Sequence, residues 1–169
     1  MALKEELGAN KARMLESKAT IEAFLADLDG CYEKYSVIWH SIHNPKQDGR
    51  GHEQPMLPER PLSVAATSKV AWDVARYSNA LPLLSTGQLR AVTKAYSLQA
   101  AFDATRNTLL ESAFKAELLD TPVRLDDPPS IEHRLETLAT ARSVARTQIG
   151  LLSSATSAYD IAISTLGDG

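Results

Sequence analysis

The chain has 169 residues, 44% of them hydrophobic, with 18 basic and 21 acidic side chains and a formal charge of −3. That length and balance fit one globular domain and exclude a disordered chain. The mild acidity excludes broad neutralisation of a phosphate backbone, so no nucleic-acid partner is expected. A lone Cys31 excludes an internal disulfide and a thiolate zinc site.

The first residues have no apolar core of the kind a signal peptide needs. The least charged stretch, 147–167, carries only Asp160 but is too rich in Ser, Thr and Gly to span a bilayer. Prolines at 45, 55, 58, 61, 82, 122, 128 and 129 leave four Pro-free stretches, 1–44, 62–81, 83–121 and 130–169. Because proline removes a donor and clashes inside a helix, these stretches are the predicted helices. No segment alternates with the period of a strand.

In the first stretch Leu7, Met14, Ile21, Leu28, Tyr35 and Ile42 recur every seven residues. Three positions further on lie Asn10, Ser17, Phe24, Cys31 and Ile38, so the heptad is apolar from Ile21 onward and half polar before it. Leu25, Tyr32 and Trp39 widen the second half of the stripe, and Gly30 marks the place to expect a kink. A Pro-rich loop is expected at about 44–62, and loops of that length are commonly functional. A shorter helix is expected over about 63–79, with Val70, Val74 and Tyr77 on one side and Trp72 beside them. Residues 79–82 read as a turn, and Ser85-Thr86-Gly87-Gln88 is a capping box opening a helix whose apolar positions are Leu89, Val92, Tyr96, Phe102, Leu109, Leu110, Phe114 and Leu118. A second loop falls at about 119–129. The last helix starts at Asp127-Pro128, with Asp127 as cap, or one turn later at Ser130. Its stripe runs Ile131, Leu135, Leu138, Arg142, Ala145, Ile149, Leu152, Thr156, Tyr159, Ile163 and Leu166.

The prediction is therefore a single all-α domain over 1–169: an elongated antiparallel helical bundle of three long helices and one shorter. Trp72 and Tyr96 are its expected aromatic anchors, both buried and close together, because short connections place consecutive helices side by side.

One block carries a resemblance. Ser68-Lys69-Val70-Ala71-Trp72-Asp73-Val74-Ala75, then Ala80-Leu81-Pro82-Leu83-Leu84, then Leu89 through Tyr96-Ser97-Leu98-Gln99, give a Trp-acidic-x-Ala helix, an Ala-Leu turn and a Tyr-x-x-Gln helix. Leu3-Lys4-Glu5-Glu6-Leu7-Gly8-Ala9-Asn10 adds a Leu-x-x-Glu-Leu-x-x-Asn start. This pattern resembles the helical domain of bacterial single-pass membrane proteins of unknown function, over about a third of the chain. The resemblance implies a bacterial, membrane-associated setting, through a membrane span preceding the first helix. It implies no catalytic residues.

The chemical motifs are incomplete. His40, His43, His52 and Glu53 form the best metal set, with His40 and His43 one turn apart. A helix end running into a loop accounts for them without a metal. Asp27-x-Asp29-Gly30 hints at a calcium loop, but Leu25 and Ser36 occupy its first and twelfth ligand positions. His52-Glu53 begins a His-Glu-x-x-His motif that Met56 ends. Gly49-Arg50-Gly51 lacks the lysine and hydroxyl of a phosphate loop, and no Gly-x-Ser-x-Gly elbow occurs. No enzyme, cofactor or metal is expected. The expected function is a non-catalytic scaffold or assembly domain, and the alternative is a bundle that senses a small molecule. Asn10, Ser17, Arg142 and Thr156 are polar residues in apolar seams, where they fix register or mark a loosely packed end. Residues 3–18 are expected to project from the bundle or pack lightly near Tyr159 to Leu166. Leu3, Leu7, Asn10 and Met14 would then form a seam for pairing with a second copy.

Overall fold

The computed structural model describes residues 2–43, 54–56, 62–117, 125 and 127–167. Four α-helices follow in order: α1 (Ala2–His43), α2 (Val70–Tyr77), α3 (Thr86–Glu117) and α4 (Pro128–Gly167), with a 3-10 turn at Leu81–Leu83. No strand occurs among the described residues, and the long helices pack on one another as an all-α bundle. None of the described helices is long and apolar enough to cross a membrane.

The helix boundaries follow local chemistry. At the start of α3 the Ser85 N–H donates to Gln88 Oε1 at 2.9 Å and the Gln88 N–H to Ser85 Oγ at 3.3 Å, so the capping box is formed. Of the two starts open to α4, the one at Asp127-Pro128 is used: the Asp127 carbonyl accepts the Ser130 and Ile131 amides. Asn79 closes α2 in the left-handed region, φ 54°, and the Ala80 amide reaches back to the Ala75 carbonyl at 3.1 Å. α1 runs unbroken through Gly30.

The expected short helix over 63–79 needs correction. Only 70–77 is helical, and 62–69 is a strap in neither helix nor strand. Side chains of other helices take the strap's backbone groups, so it has no need of helical bonds of its own. The orientation of α2 is also the reverse of what an apolar stripe suggests. Val70, Val74 and Tyr77 are 67%, 59% and 84% exposed, and Ala75 is its buried residue. Leu110 and Phe114 of α3 point outward as well, while Val92, Tyr96, Phe102 and Leu109 are buried as expected. Leu118 lies outside the described residues.

The chain divides into two compact units. Unit 1 comprises Met1–Thr20, Ser63–Arg106 and Gln148–Gly169, and unit 2 comprises Ile21–Leu62 and Asn107–Thr147. Within unit 1, α1 and α3 run parallel, since Glu6 meets Tyr96 and Asn10 meets Gln99. α4 runs against both, since Lys11 pairs with Asp160 and Gln88 Nε2 donates to the Thr165 carbonyl. Leu7, Met14, Val92, Phe102, Leu152 and Tyr159 fill its interior.

Unit 2 is held by an apolar cluster of Phe24, Leu28, Tyr35, Ile38, Ile131 and Leu138. Cys31 and the small side chains of Ala113, Ala116 and Ala141 complete it. Burying one such leucine contributes about 1.5–3 kcal/mol. At its edge Asp29 accepts from Arg142 Nε at 2.5 Å and from Arg146 at 3.1 Å, and the Arg142 guanidinium lies 4.2 Å from the Tyr32 ring centroid. Arg142 is therefore an ion-paired rim residue rather than a gap in the α4 stripe. The Cys31 thiol and the Tyr35 hydroxyl donate to the carbonyls of Met56 and Pro55, pinning described loop residues to α1.

Candidate functional site

The densest polar constellation lies in unit 1, where the strap meets α1 and α3 and Tyr159 of α4 joins through Gln99. Its parts come from helix periodicity. Glu6, Asn10 and Ser17 share one face of α1, and Tyr96, Gln99 and Asp103 succeed one another along α3.

Asn10 is fully buried and pairs with the strap as one amide pairs with another. The Ser68 N–H donates to Asn10 Oδ1 at 2.9 Å, and Asn10 Nδ2 donates to the Ser68 carbonyl at 2.6 Å. Gln99 Nε2 donates to the same carbonyl at 3.1 Å. Gln99 Oε1 accepts from Asn10 at 3.2 Å and from the Tyr159 hydroxyl at 2.5 Å. Further along, the Ala65 N–H donates to Ser17 Oγ at 3.0 Å, and Thr67 Oγ1 donates to Asp103 at 2.9 Å.

Glu6 does for α2 what its own flanking residue does not. Lys69 makes no side-chain cap. Instead Glu6 accepts the Ala71 amide at 2.9 Å and the Trp72 amide at 3.4 Å, the second and third amides of the helix. A carboxylate here satisfies orphan donors and meets the positive end of the helix dipole. It also accepts from Ser68 Oγ at 2.7 Å and from the Tyr96 hydroxyl at 2.5 Å. Partial burial works to raise the Glu6 carboxyl; these four hydrogen bonds, led by Tyr96, outweigh it and hold the group below its ordinary range. Burial and then the Glu6 carboxylate push the Tyr96 phenol far above its usual value, so it stays a donor. Burial also raises the Tyr159 phenol.

Trp72 stacks on Tyr96, with ring centroids 5.1 Å apart and planes 15° from parallel. The expected proximity is therefore present. Tyr96 is buried and Trp72 only half-buried, because Trp72 forms one wall of an open groove. That groove, of about 620 Å³, runs between Lys69, Trp72, Asp73 and Arg76 on the α2 side and Thr93, Tyr96, Ser97 and Asp103 on α3.

The expected free seam on α1 is filled. Leu7, Asn10 and Met14 are fully enclosed in unit 1 and Leu3 is half-buried, so of the two arrangements expected of residues 3–18 it is packing near the end of α4, where Lys11 pairs with Asp160, and not projection, that occurs. The strap, standing where a helix was expected, supplies the partners that this segment would otherwise lack. Ser17 caps a strap amide, and Thr156 is buried with its hydroxyl on the carbonyls of Leu152 and Ser153. Of the histidine set, His40 and His43 are exposed, and His43 lies on the Trp39 ring and its carbonyl. His52 and Glu53 lie outside the described residues. Among the described residues no three His, Cys, Asp or Glu side chains are grouped to hold a metal ion.

Asp103 joins the constellation without a motif that would single it out in the sequence, and Glu6, Ser68 and Tyr159 lie in patterns that gave them no role in a site. The spacing of Glu6 four residues before Asn10 is the signal that could have found it. Arg134 and Gln148 of α4 are buried too, at 3% and 1% exposure, in positions where the stripe placed Leu135 and Ile149. No protein-family model matches this sequence, and no curated protein or solved structure is significantly similar to it.

Proposed function

We propose that this chain is a non-catalytic helical scaffold or assembly domain, carried by a membrane-anchored bacterial protein as the resemblance implies. The observation that supports this reading is how its most specific polar side chains are used. Asn10, Gln99 and Tyr159 bond to one another and to the Ser68 backbone, and Glu6 takes two α2 amides and the Ser68 and Tyr96 hydroxyls, so each is engaged within the unit. A catalytic group needs a reacting atom within hydrogen-bond reach, and here that place is taken by the strap. A chain built to hold another segment in place is a scaffold in miniature. The test is capture of partners from a bacterial membrane extract together with the solution mass by analytical ultracentrifugation. A captured partner or a defined oligomer is expected, and a strictly monomeric chain with no partner would remove the proposal.

The α2–α3 groove favours a second reading, a small-molecule sensor. Lys69, Asp73 and Arg76 line it and make no ion pair with any described residue. A thermal-shift screen separates the two readings. A ligand at a hundred times its dissociation constant adds about 2.7 kcal/mol of stability.

A further inference from the structure

The strap is held the way a bound peptide is held. Its backbone, not its side chains, takes most of the contacts. Ala65 N–H goes to Ser17, Ser68 N–H to Asn10, and the Ser68 carbonyl to Asn10 and Gln99. The spacing fits this use. Asn10 and Ser17 are seven residues apart on α1, about 10.5 Å at a rise of about 1.5 Å. Ala65 and Ser68, whose amides meet Ser17 and Asn10, are three residues apart, and three residues cover about 10 Å only when the chain is near full extension, at about 3.3 Å each. The heptad step of the helix thus matches the three-residue step of an extended segment running against it. Side-chain selection is added at two places only, Thr67 on Asp103 and Ser68 Oγ on Glu6, and both ask for a hydroxyl.

We infer that the slot between α1 and α3, floored by Asn10, Gln99 and Tyr159, is a recognition site for an extended segment of small residues ending in Thr-Ser, and that the chain's own residues 65–68 occupy it in cis. Deepening the scaffold reading, the inference rests on it for the existence of a partner that presents such a segment. The two hydroxyl contacts argue for this occupant over an apolar one. Asn10 and Gln99, at most 3% exposed, take the backbone of the occupant, and an apolar residue in place of Thr67 or Ser68 would leave Asp103 or Glu6 without a hydroxyl donor that it now has. The cis segment competes at an effective concentration on the order of millimolar, so a partner gains entry only when the strap is released or when it binds through further contacts.

The experiment weakens the strap in the full chain and offers the same segment in trans. Ser68→Pro removes the amide that meets Asn10 and the hydroxyl that meets Glu6, while proline suits an extended backbone. The probe is a blocked peptide with the sequence of residues 63–69, titrated by NMR on the side-chain amides of Asn10 and Gln99. Binding to Ser68→Pro at least tenfold tighter than to the wild type is expected. It should vanish when the peptide is N-methylated at the Ser68 position or when Asn10→Leu is added. A helical Ser68→Pro chain that ignores the peptide, or one that binds the N-methylated form equally, overturns the inference. If Ser68→Pro loses its helices, Thr67→Asp, which sets a second carboxylate against Asp103, takes its place. Loss of helices in both variants also overturns it, because a displaceable occupant cannot be what the helices need to form. Partner capture by the wild-type chain with no peptide binding in either variant would leave the scaffold reading standing and remove this one.

Discussion

At one heptad position of α1, unit 1 carries Asn10 and Ser17 and unit 2 carries Phe24, Cys31 and Ile38, and all five are buried. In unit 2 the position belongs to an apolar cluster with Leu28, Ile131 and Leu138. In unit 1 the same position faces a segment of chain that is not helical. An extended backbone brought against a helix carries unpaired amides and carbonyls, and an apolar neighbour would leave them desolvated without partners. The difference teaches that polar residues in this seam are determined by what lies opposite them. They mark the place where backbone, rather than side chains, has to be buried.

The contrast can be broken most forcefully from the apolar side. Leu28→Ala in unit 2 should cost about 2–5 kcal/mol in urea unfolding, through lost burial and the cavity left behind. Asn10→Leu is the corresponding test in unit 1. In a merely solvated seam this change would be neutral or stabilising, since it restores the heptad. Against the strap it should cost about 1–3 kcal/mol, because it strands the Ser68 N–H, while the Ser68 carbonyl keeps Gln99. A gain in stability would show that the strap is not held as described.

Glu6→Ala sharpens the same contrast with a smaller effect. Removing a helix cap costs about 0.5–2 kcal/mol, and here the loss should be read first as faster amide exchange at Ala71 and Trp72, with the Tyr96 and Ser68 hydroxyls losing their acceptor as well. The linkage to pH has a definite sign. Because the folded-state pKa of Glu6 is depressed, its contribution is complete above the unfolded value of about 4.3 and is lost as pH falls through the folded one. Protection of α2 should therefore fall on acidification in the wild type and lose that dependence in Glu6→Ala. The smallest effect is expected at the rim of unit 2. Arg142→Met should cost less than about 1 kcal/mol, and added salt should shrink even that, since Asp29 is partly solvated and keeps Arg146.

Much of this architecture is legible in the sequence. The heptads from Leu7 to Tyr35 predict the buried face of α1, the Ser85–Gln88 box predicts the start of α3, and the start of α4 at Asp127-Pro128 is one of the two the sequence allows. What is not legible is tertiary. Residues 63–69 are free of Pro and Gly, which leaves helix open to them, and only side chains distant in sequence draw them into an extended strap. If the strap is taken for helix, Asn10 and Ser17 have no partners, and α1 looks like a free seam. The outward face of α2 has the same origin: Glu6 and Ser68 hold its first turn by polar bonds, so Val70, Val74 and Tyr77 are not needed to anchor it. The nearness of Trp72 and Tyr96 is legible because their partnership is local, across a short turn. The role of Glu6 is not, because a carboxylate on an amphipathic helix has the pattern of a solvated residue until the amides it caps are in view.

A helical surface in unit 1 holds the strap by its backbone, and the Ser68 amide is the sharpest reporter of that hold. Native-state hydrogen exchange followed by NMR should show this amide protected in the wild type to the level of the α3 amides around Gln99, although it belongs to no helix. In Asn10→Leu the protection should vanish while the α3 amides keep theirs. A Ser68 amide that exchanges in the wild type at the rate of an open chain would contradict the account.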